Sequence, residues 1–130
     1  MSLWDDAGGE DGVRRVVQRL YEKMSSDTMV GFLFRGKHID TIVEHQVWFT
    51  ARFLGGPQDR YTGRPMPEAH AALPLLPGHF DRRHHLLRET LAELSLPAHV
   101  AEAWLHIDEG LRTAVLKTGA DARERARTAK

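Results

Sequence analysis

Residues 11–24 read DGVRRVVQRLYEKM. Val13, Val16, Val17, Leu20, Tyr21 and Met24 recur at steps of three and four, which sets them on one face of a helix. Asp11 stands where an N-cap would. Polar residues fill the other face, so the segment is amphipathic and must bury one stripe against a partner. The same period returns along most of the chain, and this decides the fold class. Asp40 is the expected N-cap of a second long helix with Ile42, Gln46, Phe49 and Phe53 inward, ended by Gly55-Gly56-Pro57. Between them Ser25-Ser26-Asp27 breaks the first helix. Met29–Phe34 reads as a tight corner, because Phe32 and Phe34 are too close to share one helix face.

Further along, 54–67 (LGGPQDRYTGRPMP) is a loop rich in Gly and Pro, and Pro67 suits the first turn of a short helix through Leu73. Pro74 and Pro77 are expected to stop it. A helical stripe then runs Phe80, His84, Leu87, Leu91 and Leu94. Pro97 opens another, with Val100, Trp104, Ile107, Leu111 and Val115 inward and Gly119 closing it. No stretch alternates with period two for long enough to suggest a strand. The expectation is all-α: one domain over residues 1–118, followed by a charged, flexible tail at 119–130.

Composition agrees with that reading. The chain has 130 residues, 42% hydrophobic and 28% charged, with 18 basic residues balancing 18 acidic ones. Such a length supports one core without staples. The balanced charge offers no bulk field for nucleic acid or an anionic membrane. With no cysteine, disulfides, thiolate nucleophiles and Cys-ligated metal centres are excluded. No apolar run approaches the roughly 20 residues of a membrane span, and MSLWDDAGGEDG has no signal-peptide character. A cytoplasmic protein with no nucleic-acid or membrane partner is expected.

Three polar residues stand on apolar stripes: Tyr21, Gln46 and His70, the last between Met66 and Leu73. A buried polar group without a partner costs on the order of 1–3 kcal/mol, so each needs one. Singly, each has an ordinary explanation as a satisfied core residue. Together, on three helices, they suggest a polar-tipped pocket in an apolar interior. The remaining histidines read as bland. Consecutive helical positions diverge by about 100°, so His84 is expected at the core edge and His85 in solvent. His99 and His106 read as surface and His38 as loop. Arg82, Arg83 and Arg88 read as a solvated basic edge. No nucleophile-elbow, zinc-protease or phosphate-loop motif is present.

Four motifs in order, AGGEDGVRRVVQRLYEKM (7–24), EHQVWFTARFLGG (44–56), YTGRPMPEAHAAL (61–73) and HFD (79–81), resemble those of the truncated haemoglobins, the short 2-over-2 globins. The likeness runs from about Leu3 to Leu116 and is most similar to the family's first group. It implies a truncated globin-like 2-over-2 helical sandwich around haem b (iron protoporphyrin IX). His70 would be the proximal iron ligand. Tyr21 and Gln46 would be distal donors to a gas that gains partial negative charge. Phe34, Ile42, Phe49 and Phe80 would pack on the porphyrin, with Tyr61, Arg64 and Met66 near its edge. His45 takes the position where some members carry a second, reversible iron ligand. One departure stands out: where several relatives have a tryptophan or small apolar residue after HFD, this chain has Arg83 beside His84. A charge there is expected to turn outward.

The implied function is reversible binding of dioxygen, carbon monoxide and nitric oxide for transport or sensing. The same pocket would serve a nitric oxide dioxygenase or a similar small-molecule redox enzyme with an unidentified reductase. From a different class comes a haem-free helical interaction module in which His70 is only a core residue.

Overall fold

The computed structural model describes residues 2–62 and 75–116. The expected short helix at 67–73, Gly119 and the tail at 119–130 lie outside the described residues. So do three of the site candidates, His70, Arg64 and Met66.

The chain begins with a single helical turn, α1 (Leu3–Asp6), not foreseen from the sequence. The Ser2 side chain accepts from the Asp5 N–H at 3.1 Å and caps it. The helix α2 spans Gly9–Ser25 and starts two residues before the expected Asp11, with Gly8 as its cap. Gly8 and Gly9 have φ of 100° and 66°, left-handed conformations that glycine adopts without a Cβ penalty. They spend two residues reversing the chain, and Asp11 falls inside the first turn with Glu10. There their charges favour the positive end of the helix dipole. The expected stripe holds: Val13, Val16, Val17, Leu20, Tyr21 and Met24 are all buried.

A 3₁₀ turn at Gly31–Phe34 makes the corner. Asp27 organises it, its Oδ2 accepting from the N–H groups of Met29 (2.9 Å) and Val30 (3.2 Å). The next helix, α3, spans Ile39–Leu54 with His38, rather than Asp40, at the cap. Gly55 ends it with φ 83°. Gly56 then lies so close to Trp4 that an added Cβ would stand 2.5 Å from the indole.

The helix α4 spans Pro77–Glu93. Pro77 opens this helix, because a missing N–H costs nothing in a first turn. The helix α5 spans Ala98–Gly110, with Pro97 as its cap. Packing pairs α2 with α3 and α4 with α5, and α2 lies across α4 as well. The result is an all-α sandwich of two helix pairs. Its core holds the α2 stripe, Val43, Val47, Ala51 and Leu54 of α3, Leu86, Leu87 and Leu91 of α4, and Val100 and Trp104 of α5. Among the described residues no helix is long and apolar enough to cross a membrane.

The inward face of α3 differs from expectation. Val43, Val47, Ala51 and Leu54 pack on α2, whereas Ile42 and Gln46 are half-buried and Phe53 is 43% exposed. Of the expected stripe, Phe49 is buried at 7% exposure and Ile42 packs against the core, so this second face of α3 opens to solvent only toward Phe53. Val43, Val47, Ala51 and Leu54 also recur at steps of three and four, and helical period does not say which of two such stripes is buried deeper.

Candidate functional site

Tyr21 and Phe34 meet first. The α2 helix buries Tyr21 to 7% exposure, and the 3₁₀ turn brings Phe34 edge-on to its ring at 5.7 Å and 87°. On the second face of α3, Phe49 packs tilted against Phe53 (5.1 Å) and edge-on against Tyr61 (5.4 Å), and His45 lies edge-on to Tyr61 at 6.1 Å. Gln46 donates from Nε2 to Thr50 Oγ1 at 3.2 Å, one turn along. Gln46, Phe49 and Thr50 line a cavity between α3 and α5 whose far wall includes Trp104, Ile107 and Asp108. Tyr21 and Phe34 thus form one group on α2 and the corner, and His45, Gln46, Phe49 and Tyr61 lie on α3 and the segment after it. Phe80, at the start of α4, stacks on His84 at 6.4 Å, and the Arg112 guanidinium lies 4.6 Å from its ring centre.

The HFD element has a local structural role. His79 Nδ1 accepts from the Leu76 N–H at 3.0 Å and caps α4, Phe80 is buried, and Asp81 pairs with Arg112 at 2.6 Å. Outside this start, His84 is largely buried. His85 is half-exposed beside Glu89 (3.1 Å), and His99 pairs with Asp6 at 2.8 Å on the surface. His38 and His106 are exposed. Among the described residues no three His or carboxylate side chains group as a metal site.

The basic edge is where expectation and structure part. Arg82 is not merely solvated: its Nε and Nη2 donate to Asp27 Oδ1 at 3.0 and 2.8 Å, tying α4 to the corner. Those hydrogen bonds hold the Asp27 carboxyl below its ordinary range. Arg83 turns inward, not outward. Its guanidinium donates to Asp108 Oδ1, and His84 Nδ1 lies 2.8 Å from Asp108 Oδ2. Asp108 is 4% exposed. Burial pushes its carboxyl up, but the charge of Arg83 and the hydrogen bonds from His84 and Arg83 outweigh this and hold it low. Burial raises the Tyr21 pKa and the Asp108 charge adds to this, while Arg83 opposes both.

Asp108, Arg83 and Thr50 escaped the reading of the sequence as site residues. A signal for Asp108 was there: Val100, Trp104 and Asp108 step by four along one α5 stripe, so an acid stood on an inward face. Once Asp108 is inside, its counter-charge must come in as well, because a lone buried carboxylate is too costly. That requirement turns Arg83.

The comparisons with known proteins agree with the helical architecture. The family described as bacterial-like globin matches residues 2–117. A group 1 truncated haemoglobin of Nostoc commune is 31% identical over 115 residues, covering 88% of this chain and 97% of that protein. Among solved structures, truncated haemoglobin from Tetrahymena pyriformis in its Fe(III) form superposes with a TM-score of 0.82 at 30% identity, covering 89% of this chain and 98% of its own. The 2/2 haemoglobin from Synechococcus sp. PCC 7002, in the cyanomet state with covalently attached haem, gives 0.83 at 29% identity, covering 90% and 99%. The fold class is that of the 2-over-2 globins. The chain belongs to the truncated haemoglobins, group 1.

Proposed function

We propose that this protein holds haem between α3 and the segment carrying His70, and binds diatomic gases reversibly on the α2–α3 side. Haem and gas binding in general terms come with the family. The observation that carries the reading for this chain is the second face of α3. A helix that already buries Val43, Val47, Ala51 and Leu54 in the core has no structural need for a 43% exposed Phe53 packed beside Phe49 on another side. A flat apolar cofactor fits that face, and the polar tips beside it, Tyr21 and Gln46, supply hydrogen-bond donors and no competing anionic ligand.

His70 is the proposed proximal ligand, a neutral imidazole on a segment flanked by Met66 and Leu73. Bound haem b would supply the iron at which the gas is held. Phe34, Ile42, Phe49 and Phe80, with Tyr61, Arg64 and Met66 toward the edge, would exclude water and fix the porphyrin. Tyr21 and Gln46 would donate to dioxygen, which gains partial negative charge on binding, and carbon monoxide would gain less. His45, packed on Tyr61, is the proposed reversible second ligand. A ferric spectrum that stays high-spin at neutral pH and is unchanged by His45→Ala removes that role.

The test of the function is an absorption spectrum of purified protein with haemin, with and without carbon monoxide. A Soret band that shifts with the gas is expected, and His70→Ala is expected to release haem or to hold it only with added imidazole. No Soret band with haemin overturns the reading, and ligand spectra untouched by His70→Ala overturn the proximal assignment.

A further inference from the structure

The corner between α2 and α3 is fastened from α4, by the HFD element and the arginine that follows it. Asp27, where the corner starts, has a side chain only 7% exposed, and each of its carboxylate oxygens has its own task. Oδ2 accepts from the N–H groups of Met29 (2.9 Å) and Val30 (3.2 Å), which shapes the turn. Oδ1 accepts from Nε and Nη2 of Arg82 at 3.0 and 2.8 Å, which ties that turn to α4. One turn before Arg82 on the same helix, His79 meets Phe32 edge-on at 5.5 Å. His79 is itself fixed, since its Nδ1 accepts from the Leu76 N–H at 3.0 Å. Two side chains three positions apart, and so on one face of α4, therefore grip the corner at Asp27 and at Phe32.

A 3₁₀ turn of four residues has poorly aligned hydrogen bonds and does little to hold its own shape. On its other side it is pressed against the end of α2, where an added Cβ on Gly31 would stand 2.9 Å from the Ser25 carbonyl oxygen. Held between α2 and α4, the turn ends in Phe34, which meets the buried Tyr21 ring edge-on at 5.7 Å and 87°. That ring contact limits how far Tyr21 can rotate, and the rotation sets where its phenol oxygen stands. Hydrogen bonds weaken steeply as the donor angle falls, so a Tyr21 free to drift would donate less of the time.

We propose that Arg82 is a positioning residue for the distal side: through Asp27 it holds the corner, and with it the Phe34 ring that keeps the Tyr21 hydroxyl aimed at the bound gas. The inference rests on the haem-binding reading above. It gives a surface-edge arginine of α4 a role in retaining dioxygen without contact with the gas.

The experiment is a double-mutant cycle on the haem-loaded protein, with Tyr21→Phe, Arg82→Met and both together. Dioxygen dissociation is followed by stopped flow. Tyr21→Phe is expected to speed release by about tenfold or more, and Arg82→Met by about two- to fivefold. The Arg82→Met effect is expected to vanish in the Tyr21→Phe background. A readout on the tyrosine itself comes from ¹³Cζ-tyrosine NMR of the carbonmonoxy protein. The chain has two tyrosines; Arg82→Met should move the Tyr21 resonance and leave that of Tyr61 in place. A control variant, Arg19→Met, removes another ion pair between α2 and α4, Arg19 Nε to Glu93 at 2.9 Å. It is expected to leave both readouts unchanged.

An equal effect of Arg82→Met in both backgrounds overturns the proposal, and so does an unchanged off-rate with an unmoved Tyr21 resonance. The same changes from Arg19→Met also overturn it, because they make Arg82 one stabilising pair among several. If Arg82→Met does not fold, the cycle is run on Arg82→Lys, which keeps the charge and gives up the two-nitrogen grip. A smaller change of the same sign is then expected, and none overturns the proposal. Failure of the haem reading looks different, since no Soret band would form in any variant. Failure of this inference alone leaves the carbon monoxide spectrum and the Tyr21→Phe effect intact.

Discussion

Asp108 shows how much one side chain decides. On an inward stripe it would be a liability if ionised alone, and its stability depends on Arg83 and His84 being delivered from α4. Its carboxyl sits below the unfolded value of 3.8. The unfolded chain therefore takes up a proton before the folded one does, and the stabilisation is present above about pH 4 and lost as pH falls through the folded value. Urea unfolding between pH 3 and 7 should show this acid limb, flattened in Asp108→Asn. At pH 7 the same substitution should cost about 3 kcal/mol, because it leaves the Arg83 charge inside without its partner. An acid limb of unchanged slope in Asp108→Asn would assign the pH dependence to other carboxylates, Asp27 first. Much of this was hidden in the sequence. Tyr21, Gln46 and the odd position of Arg83 were readable there, whereas the inward turn of Arg83 was not. An arginine side chain is long enough to go either way, and the direction follows from an acid 25 residues further on.

At the scale of elements, the N-terminal turn and the glycines set how closely the helices meet. The Gly8–Gly9 reversal lays α1 against α2 so tightly that a Cβ on Gly12 would stand 2.0 Å from the Ala7 carbonyl oxygen. A Cβ on Gly78, in the first turn of α4, meets nothing within 4 Å. Gly12→Ala is accordingly expected to lower stability by about 2 kcal/mol, and Gly78→Ala to raise it by about 0.5 kcal/mol through the unfolded chain. Thermal melts of the two variants should move in opposite directions, and a common direction would mean that helix propensity outweighs the α1–α2 contact. Gly8 and Gly9, with φ of 100° and 66°, make the turn between α1 and α2. The α1 turn was not legible, because four residues carry no period, and what holds it is the Trp4 ring lying 6.0 Å from Trp48.

Across the whole molecule, stability is divided between two kinds of apolar surface. One is protein on protein, the α2 stripe against α3 and α4. The other is the second face of α3, which the proposed haem would cover. Removing haem is expected to lower the thermal midpoint, since a ligand bound only to the folded state stabilises it by mass action. The loss should be uneven. Hydrogen exchange should speed most in the C-terminal half of α3, around Phe49 and Phe53, while the amides of Val16, Val17 and Leu20 keep their protection. Uniform acceleration across α2 and α3 would mean that the two faces do not act as separate stability units.

By itself the sequence determined the fold class, the order of the long helices and the polar residues set in apolar stripes. Those are local consequences of period, capping and turn chemistry, which act within a few residues. Only the tertiary structure decided which of the two α3 stripes faces α2 and that Pro77 begins a helix. It also decided that Arg83 turns inward from α4 to meet the buried Asp108 of α5. Each of these depends on what lies opposite in space, and burial, unlike helical period, is a property that no segment has alone.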